Sequence, residues 1–141
     1  MPTGHRILPH TADLALEGWA PAKEECIAEA VRALVESFAD MRAAIPRESV
    51  TLTVDEATDE DLLVRVLNDV IYQFEVHGRL PVDISIDQAA GDTQGQAEVR
   101  FAAAPAGEAD LVGAIPKAVS LHELRFAPTG GLWRCHVTVD T

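Results

Sequence analysis

Thr58-Asp59-Glu60-Asp61-Leu62-Leu63-Val64-Arg65-Val66-Leu67-Asn68-Asp69-Val70-Ile71-Tyr72-Gln73-Phe74-Glu75-Val76-His77-Gly78 carries every signal of a helix in one run. Leu62, Leu63, Val66, Leu67, Val70, Ile71 and Phe74 recur at the three- and four-residue spacing of a single helical face. Thr58 to Asp61 form a capping box with Asp in place of the usual Glu, which puts negative charge at the positive end of the helix dipole. Gly78 supplies the stop. On either side the period drops from helical to two. Val50, Leu52 and Val54 alternate with Thr51 and Thr53 upstream, and Val82, Ile84 and Ile86 alternate with Asp83, Ser85 and Asp87 downstream. A turn at Gly91–Gly95 followed by Val99 and Phe101 makes 81–103 a hairpin. A helix set between alternating segments points to an α+β protein.

The outer parts of the chain agree. Pro21 suits a helix start, and Lys23–Met41 has helical periodicity, with Cys26, Ile27, Ala30, Val31, Leu34 and Phe38 on one stripe. Glu24, Glu25, Glu29, Arg32 and Glu36 lie largely off it, and Ile45-Pro46-Arg47 breaks the pattern. Residues 4–8 and 13–19 read as short strands, Ala103–Gly113 as a surface loop. Lys117–Phe126 and Leu132–Val139 form a last hairpin around Pro128-Thr129-Gly130-Gly131. In its second strand Trp133, Cys135, Val137 and Val139 share one face, and Arg134, His136, Thr138 and Asp140 the other. The expected architecture is a two-layer sandwich: both helices on one face of a mixed, mainly antiparallel sheet of about six to seven strands.

With 141 residues, 48% of them apolar and 24% charged, the chain is expected to be one soluble domain, 1–141, with a sizeable core. The 11 basic and 23 acidic residues leave a net charge of −12, which repels phosphate backbones; direct nucleic-acid binding is not expected. Cations and basic protein surfaces are the natural partners. No apolar run reaches membrane-spanning length and the N-terminal residues hold no apolar leader, so a cytoplasmic location without membrane contact is expected. Cys26 and Cys135 then read as reduced, buried small hydrophobes without C-x-x-C spacing.

Chemistry concentrates at a few places. His10-Thr11-Ala12-Asp13 follows Pro9 in a tight corner between two strands, where an imidazole, a hydroxyl and a carboxylate stand within four residues. The plainer alternative is a turn whose side chains satisfy only local N–H groups. The last two residues add the Asp140 carboxylate and, if Thr141 is the natural terminus, an α-carboxylate. Beside Asp13 these would form an all-oxygen cluster suited to calcium, magnesium or manganese. Lys117 and His122 lie five residues apart, on opposite faces of a regular strand; a solvated lysine and a locally paired histidine are the plainer readings. His5, His77 and His136 lack ligand-like spacing, and no Ser-His-Asp set, phosphate-binding glycine loop or H-E-x-x-H occurs.

Taken together, several of these stretches resemble the archease family. His10-Thr11-Ala12-Asp13 with Gly18 is similar to its N-terminal signature, and Lys23 to Ala30 to its Glu-containing first helix. Asp61-Leu62-Leu63 opens the second helix as in that family. Lys117-Ala118-Val119-Ser120-Leu121-His122 resembles its Lys-Ala-Val-Thr-Tyr-His segment, and Val139-Asp140-Thr141 its Asp-hydrophobic terminus. The match runs in order along essentially the whole chain. Three positions depart: Pro9 stands where the family usually has Asp, Ser120-Leu121 replaces Thr-Tyr, and Thr141 replaces isoleucine.

The resemblance implies a non-catalytic activator of an RtcB-type RNA ligase in tRNA splicing, tRNA processing and RNA repair. It would promote guanylylation of the ligase histidine and so restore repeated turnover. It further implies a divalent metal, calcium first and magnesium or manganese next, held by Asp13, Asp140 and Thr141. Glu25 and Lys117, with His10 and His122, are the implied partner-facing positions. Two readings of other classes stand beside it. A metal-dependent hydrolase would use an Asp13/Asp140 metal with His10 or His122 as general base. A small-molecule-binding module would hold its ligand between helices and sheet.

Overall fold

The computed structural model describes residues 2–9, 13–88 and 95–141. In chain order the elements are β1 (Gly4–Pro9), β2 (Leu14–Ala20), α1 (Lys23–Glu36), β3 (Ala39–Asp40), β4 (Glu48–Asp55), α2 (Asp59–His77), β5 (Arg79–Gln88), β6 (Gln96–Pro105), a 3-10 turn (Ala106–Glu108), β7 (Asp110–Leu111), β8 (Ala118–Thr129) and β9 (Leu132–Asp140). The fold is α+β, as the periodicities indicate. The strands of the described residues form a four-stranded sheet in the order β1-β2-β9-β8, a three-stranded sheet β4-β6-β5 and the small pair β3-β7. Every pairing is antiparallel.

Both helices pack against both larger sheets: α1 against β2 and β5, α2 against β8 and β5. That placement buries α1 on more than the single stripe its sequence suggests; Ala28, Glu29, Ala33 and Val35 are covered as well. Leu16, Ile27, Leu34, Phe38, Leu62, Leu63, Leu67 and Leu80 lie fully buried in one core cluster drawn from both sheets and both helices. Gly18 lets α1 close tightly on β2, since a Cβ there would stand 3.1 Å from Cys135 Sγ and 3.4 Å from the carbonyl oxygen of Cys26. Cys26 and Cys135 are both buried, the Cys26 thiol donates to the Gly18 carbonyl at 3.5 Å, and the neighbouring Cys135 thiol together with burial pushes the Cys26 thiol far up.

α2 matches its sequence signals at both ends. Thr58 Oγ1 accepts from the Asp61 N–H at 3.1 Å, and Gly78 takes the left-handed conformation with φ 61°. α1 is shorter than expected. The Ser37 hydroxyl donates to the Leu34 carbonyl, and the chain then turns so that Ala39–Asp40 pairs with Asp110–Leu111. The segment read as a plain surface loop at Ala103–Gly113 thus holds the end of β6, the 3-10 turn and β7. Most of the expected Gly91–Gly95 turn lies outside the described residues; Gly95 itself has φ 80°.

Candidate functional site

β2 and β9 are neighbours in the four-stranded sheet, so the two halves of the chain's polar signature meet. Leu14 pairs with Val139, and Val139 pairs on its other side with Val119 of β8. Asp13 precedes Leu14, Asp140 follows Val139, and Ala118 stands opposite Asp140. The Lys117 N–H donates to the Asp140 carbonyl at 2.7 Å. One corner of the sheet therefore gathers Asp13, Lys117, Asp140 and Thr141 from three strands. Asp13 and Thr141 are half-buried, Lys117 and Asp140 exposed. The side chains of Asp13, Lys117 and Asp140 make no hydrogen bond or ion pair with another described residue.

The side chains at this corner are two carboxylates and an ammonium, and Thr141 adds main-chain oxygen. An all-oxygen donor set fits a hard cation such as calcium or magnesium. It falls short of the 6–8 oxygens such an ion takes, so water or a partner must complete it. Among the described residues no group of three or more His, Cys, Asp or Glu side chains is placed to hold a metal alone.

The other expected positions are distributed differently. His10 lies outside the described residues, as do Thr11 and Ala12. Glu25 is exposed on the first turn of α1, in a cleft of about 300 Å³ shared with Thr3, Glu24, Ala28 and Ser85. Thr3 adjoins Gly4, which pairs with Trp19, so this cleft flanks the opposite end of the β1–β2 hairpin from Asp13. Roughly 17 Å of strand separates the two ends. His122 sits on β8, but the strand there is not regular. Leu121, His122, Glu123 and Leu124 stand opposite the single residue Val137, between the pairs Ser120–Thr138 and Arg125–His136. This bulge cancels the simple alternation expected between Lys117 and His122, and it puts Glu123 at φ 59°. His122 is exposed; its N–H donates to Ser120 Oγ at 3.1 Å and its Nε2 stands 3.4 Å from Glu123 Oε1.

The face of the four-stranded sheet turned away from the helices holds groups the spacing rules passed over. Glu17 pairs with Arg6 at 2.8 Å and with His136 Nδ1 at 3.3 Å, and the Arg6 guanidinium lies 5.4 Å from the Trp19 ring centre. His136 Nε2 and Thr138 Oγ1 are buried without a hydrogen-bond partner among the described residues. The alternation in β9 grouped His136 and Thr138 on one face; that the face is covered at Thr138 depends on neighbours far away in sequence.

A model of the archease protein family (MTH1598/TM1083) matches residues 5–141. The chain belongs to the archease family. The probable protein archease of Mycobacterium tuberculosis is 46% identical over 140 residues, covering 98% of this chain and 75% of that relative. The archease of Archaeoglobus fulgidus is 26% identical over 137 residues, covering 96% and 98%. The crystal structure of a Thermotoga maritima archease, described as a possible chaperone, superposes with a TM-score of 0.67 at 26% identity and covers 95% of this chain and 94% of that one. The solution structure of Methanobacterium thermoautotrophicum protein 1598 shares the fold, with the same TM-score of 0.67 at 17% identity. The first three of these proteins are named as archeases.

Proposed function

We propose that this archease is a non-catalytic, single-domain protein cofactor of an RtcB-type RNA ligase, acting in tRNA splicing or RNA repair. It promotes guanylylation of the ligase histidine and so sustains repeated turnover. The observation that carries the reading is the corner itself: Asp13, Lys117 and Asp140 converge from three strands, yet their side chains have no described partner. Charged groups left unpaired at one place are available to an ion and to a second protein. Asp13, Asp140 and the main-chain oxygen of Thr141 would hold a divalent cation, calcium first, which would supply a fixed positive charge there. Lys117, bonded through its N–H to the Asp140 carbonyl, has an ammonium with no partner among the described residues, suited to a phosphate or carboxylate of the partner. Glu25, at the far end of the hairpin, then belongs to a second contact and not to the metal. His122, exposed on the β8 bulge, is the nearer candidate for the rim. The net charge of −12 favours a protein surface over RNA and agrees with a cytoplasmic helper that makes no nucleic-acid contact of its own.

The hydrolase reading asks for a cleft at the metal corner. Among the described residues, clefts of about 620 Å³ beside Arg42 and about 520 Å³ beside His136 are lined by other residues. The experiment is multiple-turnover ligation by the cognate ligase, with and without catalytic amounts of this protein. The expected outcome is faster guanylylation and repeated turnover, lost in Asp13→Ala and Lys117→Ala. An unchanged turnover number, under conditions where complex formation has been demonstrated, would overturn the proposal.

A further inference from the structure

His5 occupies an unusual position for a residue near the start of an edge strand. β1 is the outermost strand of its sheet and pairs only with β2. The His5 ring reaches across to α1, where Nδ1 meets Glu29 Oε1 at 2.7 Å and Nε2 meets Glu36 Oε1 at 2.9 Å. A neutral imidazole has one N–H and one lone pair, so it can satisfy only one of these carboxylates and must turn a lone pair towards the other. The protonated ring donates to both.

The surroundings narrow the effect to those two carboxylates. Arg32, on the same helix, holds the other oxygen of Glu29. Glu24 and Glu25 line the neighbouring cleft one turn earlier on α1. On β2, the residue paired with His5 is Gly18, which carries no charge, and Glu17 is engaged by Arg6 and His136. The His5 side chain is 20% exposed and Glu29 11%, whereas Glu36 is 58% exposed.

We propose that His5 is a proton-operated clamp that, when charged, ties edge strand β1 to α1 through Glu29 and Glu36 and, when neutral, releases one of the two contacts and loosens β1. Burial pulls the ring's pKa down, but the hydrogen bonds to Glu36 and Glu29 outweigh it, and the net position lies above 6.5. The sign follows from that direction. The clamp's contribution is complete below the free histidine value and is lost as pH rises through the folded one. β1 pairs with β2 from Gly4–Trp19 to Pro9–Leu14, so the clamp acts at the end of that hairpin away from Asp13 and sets how firmly the edge strand beside β2 is held.

The test uses the full chain. The His5 ring is titrated by NMR, and amide-exchange protection factors of β1 and β9 are measured over the same pH range, corrected for the intrinsic rate of exchange. His5 is expected to titrate above 6.5, with β1 protection falling several-fold through that transition while β9 stays level. In His5→Gln, β1 protection is expected to be low and flat with pH. Glu36→Gln, which alters only an exposed partner, keeps the fold intact and should move the transition to lower pH. Titration of His5 at or below 6.5, a pH profile of β1 that survives His5→Gln, or no shift in Glu36→Gln would each overturn the clamp.

Discussion

At the Trp19 end of the β1–β2 hairpin Lys23 and Asp59 are absorbed into the fold. Lys23, on the first turn of α1, bonds Asp59, on the first turn of α2, at 3.0 Å, and the same carboxylate oxygen accepts the Gly95 N–H at 3.0 Å. Both side chains are largely buried, so this group joins the starts of the two helices to the three-stranded sheet. At the Leu14 end, Asp13, Lys117 and Asp140 meet at a comparable density of charge, and none of their side chains is engaged by another described residue. The difference separates two uses of charge. Groups that hold a fold together find their partners within it, and groups meant for something outside are left open at a rigid place.

Four predictions test that contrast, and the mutational ones begin with the largest effect. Asp59→Ala leaves a buried ammonium and a buried N–H without their acceptor, and should cost about 3 kcal/mol in urea unfolding. A cost near zero would mean the Trp19 end is no more structural than the corner. Thr58→Ala removes the cap on the adjoining Asp61 N–H and should cost about 1 kcal/mol, read as a shift in the urea midpoint at unchanged slope. The smallest change belongs to the corner. Lys117→Ala and Asp13→Asn should each alter stability by no more than about 0.5 kcal/mol while disabling ligase activation. Saturating calcium should raise the melting temperature of the wild type but not of Asp13→Asn, because a ligand bound only to the native state stabilises it by mass action. A large loss of stability in Lys117→Ala would place the corner with the structural charges instead.

The linear sequence determined α2 almost completely. Its apolar stripe, its Thr58 cap and its Gly78 stop are local signals between residues a turn or less apart, and they act before any tertiary contact forms. The hairpins were legible for the same reason, whereas Asp13, Lys117 and Asp140 stood out through the resemblance to the archease family. That Asp13 and Asp140 stand side by side was decided only by the β2–β9 pairing, which joins the two ends of the chain through contacts with no trace in local spacing. Tertiary packing likewise shortened α1 by pairing Ala39–Asp40 with Asp110–Leu111, buried Glu29, and set His5 between two carboxylates. It also moved Glu25 to the far end of the hairpin and inserted the β8 bulge that re-aims His122. Periodicity reports which side of its own element a residue faces; what lies across from that side depends on which strands come together, and that is a property of the folded chain as a whole.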